Sequence, residues 1–229
     1  MTSPSKLRDA LGMTTLSEEL SAKRAWAAAN IPPEKLTIML AATEALRSSG
    51  IASRALSTGG ELPDVTLPNA NSEPRTLSTL LQRGPLVVAF YRGGWCPYCN
   101  LELRALQREL PAIRAAGGTL LAITPELPDK SLTTTEKNEL QFEVLTDRGN
   151  QYARKLGLVF QLPPDLQGIY RAFDLNLPAY NGDDAWELPL PATYVVDQQG
   201  IVRYSFVDAD YTVRAEPADL VAALNTLNR

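Results

Sequence analysis

A chain of 229 residues with 45% apolar residues can bury its own core, and a net charge of −4 lacks the basic footprint of a nucleic-acid binder. No run approaches the ~18 apolar residues that a membrane-spanning helix needs. Histidine is absent altogether, which excludes Ser-His-Asp and Cys-His catalysis and imidazole metal ligands, and the two cysteines alone cannot complete a zinc site.

The chain opens with charged and small residues, not with a leader's apolar run, so a cytoplasmic protein is expected. Structural disulfides are rare there, which directs attention to the cysteines. Over residues 1 to ~58, Leu7, Leu11, Leu16 and Leu20 recur at helical spacing, as do Leu36, Met39, Leu40, Ala42 and Leu46. Ile31-Pro32-Pro33 separates the two helices, Gly50 ends the second, and Ser57-Thr58-Gly59-Gly60 reads as a linker. A helical extension over 1–60 is therefore expected ahead of a second unit over 61–229.

From residue 61 strands and helices alternate. Asp64–Leu67 is a short strand candidate. Leu86–Tyr91 is continuously apolar, as a buried parallel strand should be. Leu101, Leu103, Leu106 and Leu110 mark a helix that Pro111 should bend or end. Thr119–Thr124 and Phe142–Leu145 are further strands, with helices expected near Lys130–Leu140 and Asn150–Leu156. Residues 160–190, rich in Pro, Asp and Asn, read as an insertion or long loop. Ala192–Asp197 and Ile201–Phe206 flank Gln198-Gln199-Gly200 as a hairpin, and a helix through Leu220 and Leu224 closes the chain. The plan is α/β, with a central mixed sheet flanked by helices.

The two cysteines form Cys96-Pro97-Tyr98-Cys99 at a strand-to-helix junction. A cysteine there faces unpaired N–H groups and the positive end of the helix dipole, both of which favour thiolate over thiol. Pro97 suits the first helical position, and Cys99 follows one turn later on the same face, within reach for a reversible disulfide. Helix geometry makes Cys96 the sulfur of lower pKa and the more exposed one. The alternative is a pair of structural core thiols. Arg92 can hold a thiolate or peroxide, or simply be solvated. Trp95 and Tyr98 can line a groove or pack, and Gly93-Gly94 lets the backbone turn tightly. Asp183-Asp184 and the Asp208/Asp210 pair read as solvated loop residues, and no metal or cofactor is expected.

The segment Phe90-Tyr91-Arg92-Gly93-Gly94-Trp95-Cys96-Pro97-Tyr98-Cys99-Asn100-Leu101-Glu102-Leu103 resembles the active site of peroxiredoxin-like proteins of the alkyl hydroperoxide reductase and thiol-specific antioxidant group. Leu62–Pro68, Leu77–Leu81 and Thr193–Gly200 are similar to other parts of that group, so the resemblance covers residues 61 to 227. It implies a thioredoxin-like fold. Laid on the family's Pro-x-x-x-Thr-x-x-Cys run, Cys99 takes the peroxide-attacking position and Glu102 matches a family Glu, while Arg92 replaces the Pro and Cys96 the Thr. The family's peroxide-polarising Arg has no counterpart in Leu188–Pro191. Laid on thioredoxin, Trp95-Cys96-Pro97-Tyr98-Cys99 is the redox site with Cys96 attacking, and Pro191 resembles the cis-proline facing it.

The resemblance implies a thiol peroxidase that reduces hydroperoxides through a Cys96/Cys99 disulfide, regenerated by thioredoxin or a glutathione-type thiol. A thioredoxin-like disulfide reductase is the first alternative. A non-catalytic, redox-responsive homodimer built on the N-terminal helices is the second. No nucleic-acid or membrane partner is expected.

Overall fold

The computed structural model describes residues 14–227, so Leu7 and Leu11 lie outside the described residues. Helix α1 (Leu16–Asn30) starts at a capping box in which Thr15 and Glu18 each satisfy the other's backbone N–H. Helices α2 (Pro33–Ser48) and α3 (Ile51–Arg54) follow, with Gly50 between them in the left-handed region at φ 69°. Strands β1 (Thr66–Pro68) and β2 (Pro74–Thr76) pair as a small hairpin ahead of α4 (Leu77–Leu81).

The central sheet has five strands: β3 (Leu86–Phe90), β4 (Thr119–Thr124), β5 (Glu143–Thr146), β8 (Ala192–Val196) and β9 (Val202–Val207). They lie in the order β5-β4-β3-β8-β9. The β3/β4 and β4/β5 pairs are parallel, while β8 runs antiparallel to both β3 and β9. Strand β3 sits in the middle and is buried on both faces, which is why its sequence is apolar without alternation.

Period-two alternation divides the core. Val87 and Ala89 point to the face covered by α5 (Pro97–Ala115), α10 (Pro217–Leu227) and Leu16 and Leu20 of α1. Leu86, Val88 and Phe90 point to the face covered by α4, by α7 (Gln151–Lys155) and by Ala55. Leu16 and Leu20 are thus part of the main core. Residues 57–60 are also pinned down: the Gly59 N–H donates to Val202 O, and the Val202 N–H to Gly60 O.

Two expectations need correction here. Helix α5 does not end near Pro111 but runs through it to Ala115. Pro111 lies on the solvent face, while Leu110 and Ile113 are fully buried and hold the last turn in place. Residues 160–190 are not a loop. Strand β6 (Val159–Gln161) pairs antiparallel with β7 (Glu187–Pro189), and between them lie α8 (Pro164–Ala172) and α9 (Leu177–Asn181). Leu162, Tyr170, Leu177, Trp186 and Leu188 form a small core of their own, against which Trp95 packs. The apolar residues there are too widely spaced to show a period, but they converge once the strands pair.

Helix α6 (Pro128–Lys137) completes the set at the end of the sheet where β3 and β4 finish. No helix among the described residues is long and apolar enough to cross a membrane.

Candidate active site

Strand β3 delivers the chain to Arg92-Gly93-Gly94-Trp95, and α5 begins immediately afterwards. Pro97 occupies its first turn and Cys96 is its N-cap residue. The loop has little slack. Gly94 is so close to α6 that an added Cβ would fall 1.8 Å from Thr134 Oγ1. Its N–H donates to Glu126 Oε2 at 2.9 Å, and its carbonyl accepts from Asn100 Nδ2 at 2.7 Å. Asn100 also bonds the Cys96 carbonyl and is held by Asn138 of the α6 C-cap.

Both cysteines are free thiols, and both are buried: Cys96 is 1% exposed and Cys99 0%. Cys96 is the more exposed sulfur by a single per cent only, so neither thiol is open to solvent. Trp95, Tyr170 and Tyr211 close over Arg92 beside Cys96, a cover that α-helix geometry alone does not reveal. Burial changes the electrostatic problem, because a desolvated thiolate needs charged partners. Each sulfur has one. Arg92 Nη1 lies 3.8 Å from Cys96 Sγ, and Arg214 Nη2 lies 3.2 Å from Cys99 Sγ.

Burial pushes the Cys96 thiol up, but the hydrogen bond from the Cys99 thiol, the charges of Arg92 and Arg214 and the Cys99 backbone N–H together overcome it. The net result is a pKa lowered to about 5. Cys99 moves the other way, raised well above its ordinary value by burial and by the Cys96 thiolate beside it. The two shifts run in opposite directions, which favours Cys96 as the sulfur that ionises first.

Each arginine is itself anchored. Arg92 donates to the Tyr170 hydroxyl, and its guanidinium stacks 4.3 Å from the Tyr211 ring centroid and 5.0 Å from that of Trp95. Arg214 donates to Glu102 and to the carbonyls of Tyr211 and Val213, and Glu102 accepts from Thr193 of β8 at 3.4 Å. Glu102 is thus brought to the site as the sequence suggests, and Arg214 is the residue that sequence reasoning missed. The segment ahead of β8 holds no arginine, and Arg214 reaches the site from beyond β9. Asp208 and Asp210 bond the backbone N–H groups two residues on and shape the turn that presents Tyr211 and Arg214. The only sequence signal is an arginine set between Val213 and Ala215.

Tyr98 is buried and packs edge-on against Tyr211 at 5.6 Å, so it closes the site from the α5 side. Pro191 does not follow a cis bond, since no cis peptide occurs among the described residues. The chain runs extended from β7 into β8, with Leu190 N–H bonded to Leu158 O, and needs no tight turn there. Pro191 lines a cavity next to Arg92, Tyr170 and Tyr211. No group of three residues suited to hold a metal occurs among the described residues.

Glu126 lies behind the motif, fully buried. Burial raises its carboxyl to about 7, against the lowering effect of the Gly94 N–H bond. A carboxyl raised in the folded state costs stability progressively as pH rises from its ordinary range to about 7, and in full beyond it. Glu126→Gln should therefore stabilise the protein at pH 8 by up to about 3 kcal/mol. It should change little at pH 5, as read by denaturant unfolding at both values.

Comparison with known proteins identifies the family and the fold. The model of the AhpC/TSA family matches residues 58–205. A chloroplastic peroxiredoxin Q of Triticum aestivum is 26% identical over 159 residues, covering 69% of this chain and 63% of its own length. Peroxiredoxin Bcp of Escherichia coli is 28% identical over 103 residues, covering 45% of this chain and 65% of its own. The chain therefore spans less than two thirds of these relatives' length. The crystal structure of peroxidoxin BcpB from Mycobacterium tuberculosis superposes with a TM-score of 0.60 at 20% identity, over 75% of this chain and 98% of that one. The mixed five-stranded sheet with helices on both faces is thus the thioredoxin-like fold of the peroxiredoxins, and the chain belongs to the AhpC/TSA family.

Proposed function

We propose that this protein is a thiol-dependent peroxidase working through Cys96 and Cys99. The observation that carries the reading is the buried Cys96 thiolate, held by Arg92 and a turn away from a protonated Cys99, inside a segment of peroxiredoxin ancestry. The thiolate attacks the terminal oxygen of R–O–O–H and the O–O bond breaks. Cys96 becomes a sulfenic acid, and the released alkoxide takes up a proton to give R–OH. Cys99 then attacks the sulfenic sulfur, expelling water and leaving the Cys96–Cys99 disulfide. A dithiol of the thioredoxin type, or two molecules of a glutathione-type thiol, returns both sulfurs to thiols and is itself oxidised to a disulfide. Such reductants are kept reduced in the cytoplasm, the compartment that fits this cycle.

In this reading Arg92 aligns and stabilises the thiolate. Arg214, held by Glu102, faces Cys99 and stabilises charge when that sulfur is the leaving thiolate on reduction. Pro97 starts the helix, and Trp95 and Tyr98 keep water out. The family's alignment assigns peroxide attack to the Cys99 position, while the electrostatics of this site favour Cys96. The disulfide-reductase alternative keeps its Trp95-Cys96-Pro97-Tyr98-Cys99 match but lacks the cis-proline opposite the sulfurs.

The test is side-by-side assay of hydroperoxide consumption and insulin-disulfide reduction with a thioredoxin system. Peroxide turnover should dominate, with thiol alkylation of Cys96 showing a midpoint near pH 5. Insulin reduction without peroxide turnover would overturn the proposal.

A further inference from the structure

A second cavity, of about 600 Å³, lies at the end of the sheet away from the cysteines. It forms where β2 and α4 meet the last turn of α5 and the first residues of β4 and β5. Strands β3, β4 and β5 run parallel, so the sulfurs follow the carboxyl end of β3 while this cleft opens at the amino ends of β4 and β5. Arg114, in its lining, stands fifteen residues after Cys99 along α5, a separation of about 22 Å. The cleft is therefore distinct from the thiol site.

The charge of this cleft runs against that of the chain, which is acidic overall. Arg75, Arg83 and Arg114 line it, against the single carboxylate of Glu143. Arg75 is already neutralised: its Nε donates to both oxygens of Glu143, at 2.7 and 2.8 Å, and its Nη2 to Glu73 at 2.6 Å. The other two cations are not. Among the described residues the Arg83 side chain has no hydrogen bond or ion pair, and Arg114 reaches only the Gln141 carbonyl, at 2.8 Å. Two uncompensated guanidinium groups at one cleft repel each other, and a bound anion removes that cost. The guanidinium fork matches phosphate oxygens two at a time. Leu80, Leu110 and Phe142 give the same cleft an apolar wall. Its volume falls within the ~300–1,000 Å³ of small-molecule sites.

We propose that this cleft binds a nucleoside polyphosphate, its phosphates held by Arg83 and Arg114 and its base and sugar set against the wall of Leu80, Leu110 and Phe142. Two free cations call for a ligand with at least two negative charges. An inorganic anion would satisfy them and leave the apolar wall uncovered, so the occupant combines the charges with a flat organic body. Thr79, on the same wall, offers a hydroxyl to the sugar. Arg75, fixed by Glu143, shapes the rim without needing the ligand's charge. Binding here involves neither sulfur and does not depend on the peroxidase reading.

The experiment is calorimetric titration of the full-length protein with ADP, pyrophosphate and adenosine at constant ionic strength. ADP should bind saturably at one site per chain, with pyrophosphate and adenosine each weaker by about tenfold or more. Arg83→Gln and Arg114→Gln should each weaken ADP by about tenfold or more, and both side chains are exposed, so the variants should fold. Arg148→Gln removes the same charge from an exposed position outside the cleft and should leave the ADP affinity within about twofold. Absence of saturable ADP binding to the wild type overturns the proposal. So does pyrophosphate binding as tightly as ADP, which would make the cleft a plain anion site. Equal weakening by Arg148→Gln, or none by the two cleft variants, would place the nucleotide elsewhere and overturn it as well.

Discussion

Cys96→Ser should reduce peroxide consumption by roughly a thousandfold or more, because serine supplies no anion near neutral pH to replace a nucleophile that acts as one. Cys99→Ser should behave differently. The thiolate of Cys96 remains, held by Arg92, so one equivalent of peroxide is consumed quickly. The sulfenic acid then has no neighbouring thiol to condense with, and steady turnover falls while a sulfenic-acid-selective probe labels the protein. Mass spectrometry of the two variants after one equivalent of peroxide decides the roles. A dead Cys99→Ser beside a Cys96→Ser that traps sulfenic acid would make Cys99 the attacking sulfur, as the family position suggests.

Arg214→Met should destabilise the fold by about 3–5 kcal/mol at pH 8, since it leaves the fully buried Glu102 without its charged partner. The loss should shrink on acidification. Burial raises the Glu102 carboxyl to about 7 even with the opposing charge of Arg214 in place. Removing Arg214 raises it further, so the variant accepts a proton at neutral pH and recovers stability as pH falls toward 5.5. The double variant Glu102→Gln/Arg214→Met should recover much of the loss at pH 8 without acidification. Urea unfolding of wild type, single and double variants at pH 5.5 and 8 checks both statements. A pH-independent loss that the second substitution fails to relieve would mean that Arg214 is needed for packing and not for charge.

The parts of this molecule written in consecutive residues were legible in its sequence. The apolar run Leu86–Phe90 reads as a doubly covered strand because burial on both faces removes the alternation. Pro97 after Cys96 reads as a helix start because its ring fixes the backbone angle required there. The hairpin of β8 and β9 is legible from its turn. What escaped depends on residues far apart in the chain. Arg214 reaches Cys99 across 115 positions, and Tyr170 reaches Arg92 across 78. Pro111 carries a local signal to stop a helix, but Leu110 and Ile113 beside it are buried deeply enough to override it. The exposure of Cys96 is likewise decided by Trp95, Tyr170 and Tyr211, which come from three distant segments of the chain.

The same arginines have a consequence for the direction in which electrons flow. With Cys96 ionised, its thiolate faces the buried charges of Arg92 and Arg214, while the Glu102 carboxyl, raised to about 7, offsets them in part. A disulfide carries no charge, so closing it leaves one buried cation uncompensated, and the reduced state is favoured accordingly. Lowering the pKa of one thiol of the pair favours the dithiol form over the disulfide near neutral pH. On the peroxidase reading proposed above, this makes the disulfide the easier to reduce and leaves the thiolate as the form that meets the next peroxide.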